Sequence, residues 1–418
     1  MLGRDIRPTS EGLQAALTRA LREAGVGEVL DLGLAGTEEM YFATGHLGAD
    51  GGIMVKAPHN PVNYNGMKMV RADAAPVGAD TVLDQMKSLT EAKLKRNADT
   101  SDRLVDAAAT RSAYVEWVLS FVNPSRIGPV RIVANSSNGA SGPTFDAVSE
   151  GLIGAGAQID VVRLHHTPNG RFPNGIPNRL LDENQPVTGY TVLNAGADIG
   201  IACDVDFDRC FFFDASGRFI AGEYLVGLLA ECFLSKEPAA WIVHDPRVVW
   251  NTQDVVAAAG GVAVQSRTGH AFLKQALRDT GAVYGGEMSA HHYFREFYNC
   301  DSGMVPWVLL LELMVQTGRS FADLVGARME AFPSSGEINF RIAEPKGSIR
   351  DIVGQFAASA LSRDDANGVS LAFEDWRFNL RMSNTEPLVR LNVETRDDRA
   401  GLAARVRELT AMLSKHAS

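Results

Sequence analysis

Short apolar runs alternating with amphipathic stretches recur through most of this sequence, and that alternation constrains the fold more than any single residue does. VRIVA, ADIGIAC and AAWIVHD read as buried strands. EYLVGLLAECFL and TQDVVAAAGG lie between such runs and read as helices, and glycine-rich turns such as SSNGASGP join strand to helix. This order predicts mixed α/β layers with mostly parallel strands. A chain of 418 residues exceeds one core of ordinary size, so several domains are expected. The pattern changes towards the end. EINFRIAE, a helix near IRDIVGQFAASAL, VSLAFEDWRFNLRMS and LVRLNVETR predict a small α+β unit. A last helix closes it, with Leu402, Val406, Leu409 and Leu413 on one face. Breaks near NPSRIGP, DASGRF and FPSSGE divide the chain into 1–124, 125–216, 217–331 and 332–418: three similar mixed α/β domains and a smaller C-terminal one.

The charge balance narrows the function classes. Fifty acidic residues face 40 basic ones, for a formal charge of -10, which argues against a nucleic-acid partner. An anionic substrate remains compatible if the basic groups gather in one cleft. The four cysteines, Cys203, Cys210, Cys232 and Cys300, form no CxxC pair. That pattern fits a reducing compartment rather than a disulfide framework or a structural zinc site. MLGRDIRPTSEGL has no apolar core of a secretory leader, and the most apolar helical stretch, Val305 to Val315, is too short to span a bilayer and carries Glu312. A cytoplasmic protein with no membrane partner is the expectation.

Four loops carry candidate chemistry. Asp204, Asp206 and Asp208 alternate after the strand ADIGIAC and precede Arg209. If the chain turns there, three carboxylates converge on one hard cation, and oxygen ligands suit Mg²⁺ or Ca²⁺ rather than zinc. A solvated acidic turn is the plainer alternative. Lys56-Ala57-Pro58-His59-Asn60-Pro61, continuing to Lys68, is a rigid loop after the apolar GGIMV. Gly285 to His292 offers Glu287, Ser289 and His291 for hydrogen bonds to a polyol. Arg381, Ser383, Asn384 and Thr385, with Arg390 beyond, supply guanidinium, hydroxyl, amide and backbone donors for a phosphate. Arg267 and His270 open a further helix, whose N-terminus favours an anion.

In this order, the four loops resemble the active-site loops of the α-D-phosphohexomutase family, closest to its bacterial phosphomannomutase branch. The likeness runs over essentially the whole chain and includes GTEEMYFATGHLGADGGIMV, HDPRVVWNT, TGHAFLK and GEMSAHHYF. It implies four domains around a central cleft, each giving one loop. The family's serine loop reads T-A-S-H-N-P, its metal loop D-x-D-x-D-R, its sugar loop G-E-M-S-x-H and its phosphate loop R-x-S-N-T-E-P. The implied reaction moves a phosphoryl group between O6 and O1 of a hexose by way of a phosphoserine and a bisphosphorylated sugar, which also serves as activator. The resemblance assigns Mg²⁺ to Asp204, Asp206 and Asp208, and proton transfer beside the nucleophile to His59 and Lys68, with Arg209 adjoining. It gives the sugar hydroxyls to Glu287, Ser289 and His291 and the distal phosphate to the Arg381 loop. Mannose or glucose phosphates are the implied substrates, with mannose favoured, and a monomer or weak dimer the implied state.

Two departures stand out. Pro58 takes the place of the serine nucleophile, and Lys56 that of the threonine before it. Proline has no hydroxyl to phosphorylate, so a mutase of impaired or absent activity is expected, or a non-catalytic phosphosugar-binding protein. The family's opening strand and Y-D-I-R-G-type loop also have no counterpart before LGRDIRPTS, which predicts an exposed sheet edge and partly exposed core in the first domain.

Overall fold

A computed structural model describes the chain except residues 58–59, 78–103, 108, 177–181, 248, 384–387 and 417–418. The chain divides into two compact units, Met1–Ile220 with Ser289–Phe321, and Ala221–Met288 with Ala322–Ser418.

The first unit contains two five-stranded sheets. One holds β1 (Leu2–Arg4), β2 (Val29–Leu34), β3 (Gly51–Val55), β4 (Met67–Arg71) and β5 (Leu104–Asp106), in the order β4-β3-β1-β2-β5. All its pairings are parallel except β3 with β4. β1 lies in the middle, and Leu2 is fully buried. The outer strands are β5 and β4, where Met67 is exposed.

The second sheet holds β6 (Val130–Asn135), β7 (Ile159–Leu164), β8 (Ile199–Cys203), β9 (Cys210–Asp214) and β10 (Phe219–Ile220), in the order β10-β9-β8-β6-β7. Here the expectation of mostly parallel strands fails. β6 pairs in parallel with β7 and β8, while β8–β9 and β9–β10 are antiparallel. The reason is connection length. Only Asp204 to Arg209 separates β8 from β9, too short for a parallel crossover, so the acidic segment is a hairpin turn.

The helix Met304–Thr317 also belongs to the first unit and is buried from Met304 through Leu313. Trp307 stacks on Phe145 with ring centroids 4.7 Å apart, which explains why so apolar a helix sits in a core. Among the described residues, no helix is long and apolar enough to cross a membrane. All four cysteines are buried free thiols.

In the second unit the strands Trp241–His244, Val262–Gln265 and Tyr284–Gly286 pair in parallel. The helices Gly222–Lys236, Trp250–Ala258 and His270–Thr280 alternate with them along the chain. The C-terminal part is antiparallel throughout, with strands in the spatial order Ser334–Arg341, Leu388–Thr395, Trp376–Met382, Val369–Ala372, Ser362–Asp364. The closing helix Arg399–Ser414 buries Leu409 and Leu413, and Leu402 and Val406 pack partly buried on the same core as Trp376, Phe378 and Leu391.

Candidate functional site

The acidic turn is not a solvated loop. Asp204 and Asp206 are fully buried and Asp208 nearly so. One carboxylate oxygen from each lies within 4.8 Å of the others. The turn is held by close approaches that only glycine permits. A Cβ on Gly36 would meet the Phe207 ring at 2.1 Å, and one on Gly303 would meet the Phe207 carbonyl at 2.5 Å. Thr37 ties the turn to the first sheet, since its N–H donates to the Asp206 carbonyl at 3.0 Å and its hydroxyl donates to the Asp206 carboxylate. The next two residues are buried for similar work. Glu38 accepts from Tyr114 Oη at 2.5 Å and from Gly303 N–H at 2.9 Å, and Glu39 accepts from Gly36 N–H at 2.9 Å and Arg111 Nε at 2.7 Å.

Three cations enter this cluster. Arg209 Nε donates to Asp204 at 2.8 Å. Lys68 Nζ lies 3.0 Å from Asp208 and 3.6 Å from Asp301, with its ammonium over the Tyr41 ring. Lys56 Nζ donates to the Asp206 carboxylate and, at 2.8 Å, to Asp208. His291 Nδ1 is 3.1 Å from Asp301, and Asp208, His291 and Asp301 make a second convergent set. Burial and the neighbouring Asp208 push the Asp204 carboxyl up to about 7. Burial pushes Asp208 the same way, but the Lys56 and Lys68 ammoniums outweigh it and hold that carboxyl well below its usual range. Burial disfavours the charge on Lys68, yet Asp301 and Asp208 raise its pKa, which leaves a poor proton donor. His292, the other histidine of the pair, is fully buried, and burial lowers its pKa to about 3.

The oxygen donors suit Mg²⁺ in kind, and Asp206 Oδ1 is buried without a hydrogen-bond partner. The charge balance does not suit it. Lys56 already sits on two of the three carboxylates, so a divalent ion fits only after that ammonium has left.

The Lys56 loop is anchored from the start of the chain. Arg7 is buried beside Asp5, and its guanidinium donates to the carbonyls of Asn60 at 2.8 Å and Pro61 at 2.7 Å. Asp5 in turn accepts from Ser10 Oγ at 2.5 Å and from Ala57 N–H at 3.3 Å. Pro58 and His59 lie outside the described residues.

In the second unit the arginines of the C-terminal loop meet one carboxylate. Arg381 Nη2 lies 2.5 Å and Arg390 Nη1 3.1 Å from Glu337, and Arg247 Nη1 comes within 3.9 Å of it. Arg247 is clamped by Asp245, which also accepts from Met288 N–H at 3.4 Å. Glu287 is buried and accepts from the N–H of Gly269 at 2.8 Å. Gly269 has φ +123° and precedes the helix that His270 opens. His270 and Arg267 are exposed, with Arg267 5.3 Å from the Phe272 ring. Ser383 N–H donates to the Leu388 carbonyl at 2.9 Å, while Asn384 and Thr385 lie outside the described residues. Ser289 is half-buried in the first unit.

Several participants escape sequence reasoning. Asp301 ends the run YNCD with no pattern around it, and Glu337 looks like one polar residue of an alternating strand. Asp245 and Arg247 sit in HDPRVVWNT, where the Asp-Pro-Arg turn after an apolar strand is the available signal. Lys56 reads in the sequence as a lost threonine, and nothing local says where its ammonium goes.

Models of the phosphoglucomutase/phosphomannomutase family match almost all of the chain. Alpha/beta/alpha domain I covers residues 1–96, domain II 112–217, domain III 221–332 and the C-terminal domain 337–411. The phosphomannomutases of Salmonella montevideo and of Escherichia coli strain K12 are each 52% identical to it, over 99% of this chain and 91% of theirs. A crystal structure of a phosphoglucomutase/phosphomannomutase family protein from Burkholderia thailandensis superposes with a TM-score of 0.86 at 29% identity, over 100% of this chain and 90% of that one.

Proposed function

This chain belongs to the phosphoglucomutase/phosphomannomutase family, and from that premise we propose that it is a phosphomannomutase-type scaffold that binds hexose phosphates but turns them over slowly or not at all. Mannose 1-phosphate and mannose 6-phosphate are the proposed ligands, since the two relatives at 52% identity named above are phosphomannomutases. The observation that carries the reading is Pro58. It stands at the position of the family's nucleophile and offers no oxygen to phosphorylate.

The remaining residues favour binding. Arg247, Arg381 and Arg390 bring three guanidiniums to one place, balanced by Glu337 and Asp245, and a phosphate dianion can exchange for the Glu337 carboxylate. Glu287, fixed by Gly269 N–H, would hold a sugar hydroxyl, as would Ser289 and His291. Beside the altered loop, Lys68 is committed to Asp208 and Asp301 and has little freedom to move a proton. The division into four domains at 124/125, 216/217 and 331/332, the cytoplasmic location and the monomeric or weakly dimeric state belong to the same proposal.

The test is interconversion of mannose 1-phosphate and mannose 6-phosphate with Mg²⁺ and a hexose bisphosphate primer. It compares the native chain with a variant carrying both Pro58→Ser and Lys56→Thr. A silent native chain and an active variant are expected. Native turnover close to that of an intact mutase overturns the proposal.

A further inference from the structure

We infer that Lys56 is a built-in counter-ion that takes the place of a divalent metal: its ammonium neutralises Asp206 and Asp208, so the acidic turn is charge-balanced without Mg²⁺. The inference rests on reading Asp204 to Arg209 as the family's metal loop and on no claim about turnover.

The geometry is specific. Lys56 follows the last residue of β3, and its N–H donates to the Gly66 carbonyl at 2.9 Å, which fixes where its stem departs. From there the side chain, 12% exposed, reaches the two carboxylates at once. Asp204 is taken by Arg209, and Asp208 is shared with Lys68, which also faces Asp301. Four carboxylates are therefore met by three fixed cations, with His291 on the fourth carboxylate. A divalent ion bound among the three aspartates would lie within contact range of the Lys56 ammonium. In so buried a place that repulsion is poorly screened. Threonine, the family's residue at this position, carries no charge and leaves the carboxylates to an ion.

The change from threonine to lysine and the change from serine to proline then act in the same direction. One supplies the missing positive charge, and the other removes the oxygen that would carry the phosphoryl group.

Binding of Mn²⁺, followed by loss of its free-ion electron paramagnetic resonance signal, tests this on the full chain. The native protein is expected to leave the signal intact at concentrations where Lys56→Thr binds at least about tenfold more tightly. Lys56→Arg, which keeps the charge, is expected to behave like the native chain. Equal affinity for Mn²⁺ in the native chain and Lys56→Thr overturns the inference, as does failure of both to bind. Should Lys56→Thr unfold too readily to titrate, recovery of its melting temperature by Mn²⁺ but not by Na⁺ supports the inference, and no recovery overturns it. Calorimetry of mannose 6-phosphate binding to the native chain in EDTA is read separately. Absence of heat there removes the phosphosugar reading and leaves the Mn²⁺ result standing.

Discussion

The acidic cluster of the first unit and the arginine cluster of the second are built on inverse plans. Asp204, Asp206, Asp208 and Asp301 are buried and filled by Lys56, Lys68 and Arg209 from their own unit. Arg381 and Arg390 are filled by Glu337, whose carboxylate is 18% exposed, whereas those of the first cluster are at most 4% exposed. A carboxylate locked out of water stabilises a fold only while its partner cations are present, whereas a partly exposed one exchanges more readily with an outside ion. The first cluster therefore acts as a structural keystone, and the second fits the proposed anion site, with Glu337 as a weak internal substitute.

The largest effect expected to break this contrast is on stability. Lys68→Met leaves Asp208 to Lys56 alone and Asp301 to His291 alone and should cost about 3–5 kcal/mol in urea denaturation. A midpoint unchanged from the native chain would show that the acidic cluster is not structural. Arg381→Ala should behave the other way, with nearly native stability but phosphosugar affinity lower by about 2 kcal/mol, roughly thirtyfold. Unaltered affinity by calorimetry would remove Arg381 from the anion site. The smallest effect sharpens the idea of an internal substitute. Glu337→Gln keeps a hydrogen-bond acceptor but loses the competing charge, so mannose 6-phosphate should bind about fivefold more tightly, a gain of ~1 kcal/mol. Weaker binding would instead make Glu337 a support that the arginines need.

The alternating pattern made the α/β character legible, and strands such as VRIVA and ADIGIAC lie where their apolar runs predict. The amphipathic face of the closing helix was legible too. The antiparallel half of the second sheet was available in principle, since six residues between two apolar runs exclude a crossover. Asp204, Asp206 and Asp208 were found from spacing, but their burial was not, because it depends on Gly36 and Gly303, far away in the sequence. Asp301 and Glu337 had no local signature, since each acquires its partners only through distant segments.

By itself the sequence determined the family, and the absence of a side-chain hydroxyl at Pro58, on which the proposed loss of turnover rests, is a matter of covalent chemistry that no fold can restore. Only the tertiary structure decided what Lys56 does. A lysine in a loop is ordinarily a solvated charge, and it becomes a counter-ion here because β3 and the turn between β8 and β9 meet, bringing its ammonium to two buried carboxylates about 150 residues away in the chain, where water cannot screen the attraction.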